Sequence, residues 1–212
     1  MIKKPNKNSP SKNSKRLSVK SGLPSESFVY VGEDRDEPIS ITNIEYKREL
    51  IKNNSVSDIN SLKDVLNSEN NFWIKVEGVH HSDTIVQLCN IFDIHPLIQE
   101  DILNTHQRTK IEEFDNYLFI TFKHLYTNES NLIVSEQISV VVGQNYLISF
   151  QETHNKVFDD LQMRIESSVG SVRQKNIDYL LYKILDTIVD EYFVLIDQLG
   201  DNIEDIETEI TH

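Results

Sequence analysis

Two adjacent carboxylates, Glu100 and Asp101, interrupt the stretch HPLIQEDILNTHQR, whose apolar spacing is otherwise that of a helix. Adjacent acids beside a core either face water or serve as oxygen ligands for a hard cation. Magnesium and calcium select carboxylate oxygens, and magnesium keeps several waters, so one or two acids are enough to hold it. A second acidic feature lies at the other end of the chain. Residues 178–212 carry ten acids and a single Lys/Arg, Lys183. Asp186 and Asp190 stand four apart, and so do Asp197, Asp201, Asp205 and Glu209 in succession. On a helix such residues lie one above another, and each like-charge pair costs about 0.2–0.5 kcal/mol. Exposure to screening salt, a basic partner helix or a divalent cation would each relieve that repulsion. The loop pattern D-x-[DN]-x-[DN]-G is absent, so an EF-hand is not the route.

Other chemistries find little support. His95, Glu100, Asp101 and His106 lack the H-E-x-x-H spacing of a metal hydrolase. His95 before Pro96 reads instead as the residue that leads into a helix, and His80–His81 reads as a turn. There is no G-x-S-x-G, no P-loop and no G-x-G-x-x-G, and the chain has only six glycines. Cys89 sits among Val86, Leu88 and Ile91 and reads as a small buried hydrophobe. A single cysteine excludes an internal disulfide and a multi-thiolate zinc site, and fits a reducing, cytoplasmic setting. The expectation is a protein that is not an enzyme.

The elements that must position these acids follow from periodicity. SFVYVG (Ser27–Gly32), PISITNIEY (Pro38–Tyr46) and NFWIKVEGV read as strands rich in β-branched and aromatic residues. In the last of these the alternation predicts one buried face. SVSDINSLKDVL and HSDTIVQLCNIFDI read as helices, the second started by Ser82 or Asp83. Pro96 fits the first turn of the helix that carries Glu100 and Asp101. Leu97, Ile98, Ile102 and Leu103 are expected to face the core, with Gln99 and Glu100 outside and Asp101 at the boundary. FDNYLFITFKHLYT, LIVSEQISVVVG and NYLISFQET read as an antiparallel meander, turned at TNESN and GQN. A helix from Lys156 to about Ser168 precedes a long one from about Asn176. The long helix has an apolar seam at Leu181, Leu185, Ile188, Tyr192, Leu195, Leu199, Ile203, Ile206 and Ile210. About 35 residues of helix would reach about 50 Å and should project as a stalk. It carries no C-cap glycine or proline stop, so the chain looks cut.

The predicted fold class is α/β: a mixed β-sheet sandwiched by helices (α/β/α), followed by the start of a long stalk helix. The expected organisation is a disordered basic tail over 1–20, an α/β/α domain over 21–170, and the stalk over 171–212. Of 21 Lys/Arg, seven fall in residues 1–20; the rest of the chain has 14 against 34 acids, a net of −20. So acidic a body argues against nucleic acid as a partner. No apolar run approaches the roughly eighteen residues that a membrane span needs, and no apolar stretch of a signal peptide follows the basic N-terminus.

Three ordered blocks now identify a family. HPLIQEDILNTHQRTKIEEFDNYLFITFK, SEQISVVVGQNYLISFQE and DYLLYKILDTIVDEYFVLI together resemble the cytoplasmic part of CorA-type magnesium transporters, and RLSVKSGLPSESFVYVG looks like the start of the same domain. The resemblance runs from about Arg16 to the C-terminus. It implies a homopentamer in the cell membrane, with this portion on the cytoplasmic side and a stalk helix that lines a funnel. It implies two C-terminal membrane helices, absent here, as the only membrane contact. Divalent cations, Mg2+ first and Co2+, Ca2+ or Zn2+ as alternatives, would bind between neighbouring cytoplasmic domains and gate the pore. The metal-ligand residues carried over by the resemblance are Asp101 and Glu100 from the His-Pro-Leu block and Asp186 from the YLLY block. The family's Gly-Met-Asn pore signature is missing, and Thr109 stands where proline is frequent. The rival expectations are a metal-free interaction module with a coiled-coil stalk, and a zinc-transporting relative of the same fold.

Overall fold

The computed structural model describes residues 28–211. The expected basic tail and the first residue of the expected Ser27–Gly32 strand lie outside the described residues. Seven strands form one sheet: β1 (Ser40–Tyr46), β2 (Ile51–Ser55), β3 (Asn71–Glu77), β4 (Lys110–Glu113), β5 (Leu118–Thr127), β6 (Ile133–Val142) and β7 (Tyr146–Gln151). Their order is β2-β1-β3-β7-β6-β5-β4. The β3–β7 pair is parallel and every other pair is antiparallel. Four α-helices cover the sheet: α1 (Ser82–Ile91), α2 (Pro96–Leu103), α3 (Asp159–Glu166) and α4 (Ile177–Thr211).

Alternation along the strands feeds two cores. Phe72, Ile74 and Val76 of β3 join Phe119, Val141, Ile148 and Phe150 under α1 and α2, which contribute Ile85, Leu88, Cys89, Ile98 and Ile102. Trp73 joins Ile120, Ile138, Val140 and Leu147 on the opposite face, where Leu161 and Ile165 of α3 and Ile177, Leu180, Ile184 and Ile188 of α4 close the layer. The result is the expected α/β/α sandwich. Each fully buried aliphatic side chain contributes about 1.5–3 kcal/mol, so both faces are needed. That corrects the expectation of one buried face on β3. Lys75 is buried too; its ammonium donates to Gln162 Oε1 of α3 at 2.9 Å and lies 5.8 Å from the Trp73 ring centre.

The remaining departures have local causes. β2 and β4 were not legible as strands: IKNNS and KIEE are polar edge strands, the usual way to keep a sheet edge from pairing with another chain. The helix expected over SVSDINSLKDVL is a 3-10 helix, Ile59–Asn67, capped by Asp58 Oδ1 accepting from Asn60 N at 3.0 Å. Its buried residues, Leu62 and Val65, are three apart, which suits the tighter helix, where such positions align. α1 begins at Ser82, but its cap position is His81, without a side-chain cap bond. Of the Ser27–Gly32 strand, the described part makes one parallel bridge, Val31 to Asn104. Gly78 ends β3 at φ +107°, and a Cβ there would also come within 3.2 Å of Ile39 Cα.

α4 splits its faces. Its early turns bury Ile177, Leu180, Ile184 and Ile188 against the sheet, Leu195 is buried further along, and everything from Ile196 to Ile210 is exposed. Leu181, Leu185, Ile188 and Tyr192 of the expected seam therefore pack against the sheet-side core, and Leu195 is buried beyond them. The outward apolar series is Tyr182, Val189, Ile196, Ile203 and Ile210, each seven residues from the next and all exposed. Leu199 and Ile206 interleave with it and are exposed as well.

Candidate functional site

α2 is short and held at both ends. Pro96 occupies the first turn, and His95 Nδ1 accepts from Leu97 N at 3.2 Å. The His95 N–H donates to the Tyr117 hydroxyl at 3.0 Å. Ile98, Ile102 and Leu103 anchor the helix in the core. Two expectations fail here. Leu97 is 63% exposed, and Gln99 is buried at 2%. Pro96 and Leu97 stand on the solvent side of the first turn. Gln99 turns inward because its amide donates to Ile94 O at 2.8 Å and Asn90 Oδ1 at 3.1 Å, tying α2 to the end of α1.

Asp101 is almost wholly buried, and both of its oxygens are engaged. Oδ2 lies 2.5 Å from Lys110 Nζ, and Oδ1 accepts from the Gln107 amide. The Asp101 carbonyl takes the Gln137 amide of β6 at 3.0 Å, which fixes this turn of α2 to the sheet. Lys110 Nζ also reaches Glu112 Oε1 at 2.6 Å, so one ammonium spans two carboxylates. Burial pulls the Lys110 pKa down, but its hydrogen bonds to Asp101 and Glu112 outweigh burial, and the net shift is upward. Glu100, the neighbour, is half-buried.

Asp186 sits on α4 beside a cavity of about 430 Å3 between α3 and α4, lined also by Lys156, Asp160, Arg164, Lys183 and Asp190. Lys183 Nζ donates to Asp186 Oδ2 at 2.9 Å, and that bond raises the lysine pKa. α2 and α4 pack on opposite faces of the sheet. One chain therefore does not bring Asp101 and Glu100 together with Asp186. Among the described residues, no three His, Cys, Asp or Glu side chains are gathered as a metal would need. Hard oxygen donors held against an ammonium do fit a divalent cation chemically, but a shared site needs residues from more than one chain.

The hydrolase arrangement does not form: His95 and His106 stand exposed at opposite ends of α2. His80 and His81 form the expected turn, and both Nε2 atoms meet Glu37 O, at 2.8 and 3.0 Å. Cys89 is fully buried, and burial pushes its thiol pKa far up. Lys110, Gln107 and Glu112 were missed by sequence reasoning. Their signal, a lysine and an acid two apart just past the helix, becomes legible only once β4 is known to be a strand.

The family described as "CorA-like Mg2+ transporter protein" matches residues 68–212. The chain belongs to the CorA family. It is 40% identical over 198 residues to the cobalt/magnesium transport protein CorA of Thermotoga maritima, covering 92% of this chain and 56% of that protein. It thus spans about half the length of this curated relative. The complete structure of the CorA magnesium transporter from Methanocaldococcus jannaschii superposes with a TM-score of 0.61 at 18% identity, over 82% of this chain and 52% of that one. The ZntB cytoplasmic domain from Vibrio parahaemolyticus superposes with a TM-score of 0.59 at 13% identity, over 80% of this chain and 65% of that one. These two likenesses establish the fold. Among the described residues, no helix of this CorA-family chain is long and apolar enough to cross a membrane.

Proposed function

We propose that this chain is the cytoplasmic, divalent-cation-sensing part of a CorA-like magnesium/cobalt transporter in the cell membrane, and that it assembles as a homo-oligomer, a pentamer in the full transporter. Residues 1–20 form a basic tail, 21–170 the sensing domain and 171–212 the start of the stalk. In this reading Mg2+ binds between subunits. Asp101 and Glu100 of one subunit face Asp186 of the next, and the bound cation cancels the repulsion between two acidic surfaces. Loss of the cation lets the subunits separate and opens the pore, a switch made of weak, exchangeable contacts.

The observation that carries this reading is Asp101: in a CorA-family chain, a nearly buried carboxylate at the end of α2 already holds a cationic group. The separation of Asp101 from Asp186 by the sheet supports an intersubunit site over one within a chain. The exposed heptad series on α4 supports self-association. It equally favours a second reading, association through the stalk without metal, which EDTA separates from the first. Co2+ and Zn2+ remain alternatives to Mg2+ in the proposed site.

The test is thermal unfolding and sedimentation of the chain in EDTA and in millimolar Mg2+, Co2+ or Ca2+. A ligand that binds only the folded form stabilises it by RT ln(1 + [L]/Kd), so weak sites register at high concentration. The expected result is a higher midpoint or a larger species with cation, lost in Asp101→Ala. A cation response that survives Asp101→Ala refutes the assignment of that residue. Association indifferent to EDTA favours the metal-free stalk.

A further inference from the structure

We propose that Lys110 and Lys183 are resident ammonium place-holders, each holding one oxygen of a carboxylate that a divalent cation must take and so setting how weakly that cation binds. The proposal rests on the reading of Asp101 and Asp186 as cation ligands.

The two acids come from opposite faces of the sheet and from unrelated stretches of sequence, yet each is met by a lysine of its own chain. Lys110 Nζ is 2.5 Å from Asp101 Oδ2, and Lys183 Nζ is 2.9 Å from Asp186 Oδ2. The second pairing is local: Asp186 is the one acid three or four residues from Lys183 along the helix. Lys183 is the only Lys/Arg among residues 178–212, which hold ten acids, and its ion pair is with Asp186. At Asp101 the Gln107 amide takes the other oxygen, so an arriving metal meets a carboxylate with a donor already on each oxygen. It must displace a donor or share an oxygen with one beside the positive charge of Lys110.

Each lysine also has a second seat. Lys110 keeps Glu112 Oε1 at 2.6 Å, and its ammonium lies 5.8 Å from the Phe119 ring centre. Lys183 lies 5.0 Å from the Tyr182 ring centre, a cation–π distance. Displacement therefore moves the ammonium between partners and does not strand it. The cation gains only the difference between its own attraction to the carboxylate and the ammonium's, while the empty state carries no unpaired buried charge. Low affinity and a stable empty state are both what a sensor of an abundant ion requires.

The experiment titrates Mg2+, and separately Co2+, into the full 212-residue chain at fixed ionic strength, reading the unfolding midpoint for wild type, Lys110→Gln, Lys110→Arg, Lys183→Gln and Asp101→Asn. Lys110→Gln is expected to lower the midpoint in EDTA and to lower the half-saturating Mg2+ concentration about fivefold, the equivalent of a partly exposed ion pair of about 1 kcal/mol. Saturating cation should then recover the lost midpoint. Lys110→Arg keeps the charge and should keep the wild-type concentration. Lys183→Gln, at a more exposed pair, should shift it about twofold in the same direction. It also carries the test if Lys110→Gln does not fold.

A Lys110→Gln midpoint lowered equally with and without cation, at unchanged half-saturation, makes the lysine a purely structural partner and overturns the proposal. The ligand reading survives that result provided Asp101→Asn abolishes the response. A wild-type response in Asp101→Asn overturns the ligand reading at Asp101 and the place-holder role of Lys110 with it.

Discussion

Asp101→Asn, measured in EDTA, isolates what the buried carboxylate does for the fold before any cation is present. The substitution keeps the side-chain shape and removes the charge. Its NH2 must face either Lys110 or Gln107, both of which donate to Asp101, and only Gln107 can turn its own oxygen to meet it. A hydrogen bond to a charged group is worth about 1.5–3 kcal/mol. The Lys110 side chain is 30% exposed and retains Glu112, which brings the expected loss down to about 1–2 kcal/mol. For a chain of this size each kcal/mol moves the midpoint by about 2–4 °C, so a drop of about 2–8 °C is expected. The assay is a thermal melt followed by circular dichroism for wild type, Asp101→Asn, Lys110→Gln and the double variant. The two residues touch, so the double variant should lose less than the sum, by about 0.5 kcal/mol or more. A fall under about 1 °C for the single variant, or strictly additive losses, would refute the claim that Asp101 and Lys110 form a working pair.

Two further outcomes follow from the same structure. Replacing Ile196 and Ile203 together by Gln should change the folding free energy by no more than about 0.5 kcal/mol per site, because both are exposed beyond the last buried turn of α4. The same variant should dissociate in sedimentation at concentrations where wild type associates; unchanged association would remove the heptad face from the interface. His124 is buried with neither ring nitrogen paired among the described residues, and burial lowers its pKa below the ordinary 6.5 despite nearby Glu136. The unfolded chain therefore takes up the proton first as pH falls. Stability is full above about pH 6.5 and is lost below it, by at most about 1.4 kcal/mol per pH unit. His124→Phe should be neutral or stabilising at pH 7.5 and should flatten that loss in melts at stepped pH; an identical slope in both proteins would mean that another group is responsible.

Much of the architecture was legible in the sequence because hydrophobic period is a local property. β1, β3 and the β5–β6–β7 meander, the helix opened by Pro96 and the 35-residue α4 all announce themselves by spacing and by turn or cap residues. Where the sequence is polar and short, that signal vanishes. β2 and β4 exist because neighbouring strands offer them hydrogen bonds, not because their side chains demand a core. The same limit explains the inward turn of Gln99, whose partners Asn90 and Ile94 become its neighbours only when α1 and α2 pack.

The acids divide in the same way. The sequence alone determined that Glu100 and Asp101 sit on a helix, that Asp186 sits on a longer one, and that the body is strongly acidic. It also carried the blocks that mark the CorA family. Only the tertiary structure decided that Asp101 is buried and paired with Lys110, that Asp186 lies across the sheet from it, and that the outward seam of α4 runs through Ile196, Ile203 and Ile210. The physical reason is that charge and period are written residue by residue. Which carboxylate meets which ammonium, and which stripe of a helix a sheet has already claimed, depend on surfaces that exist only after distant segments have packed.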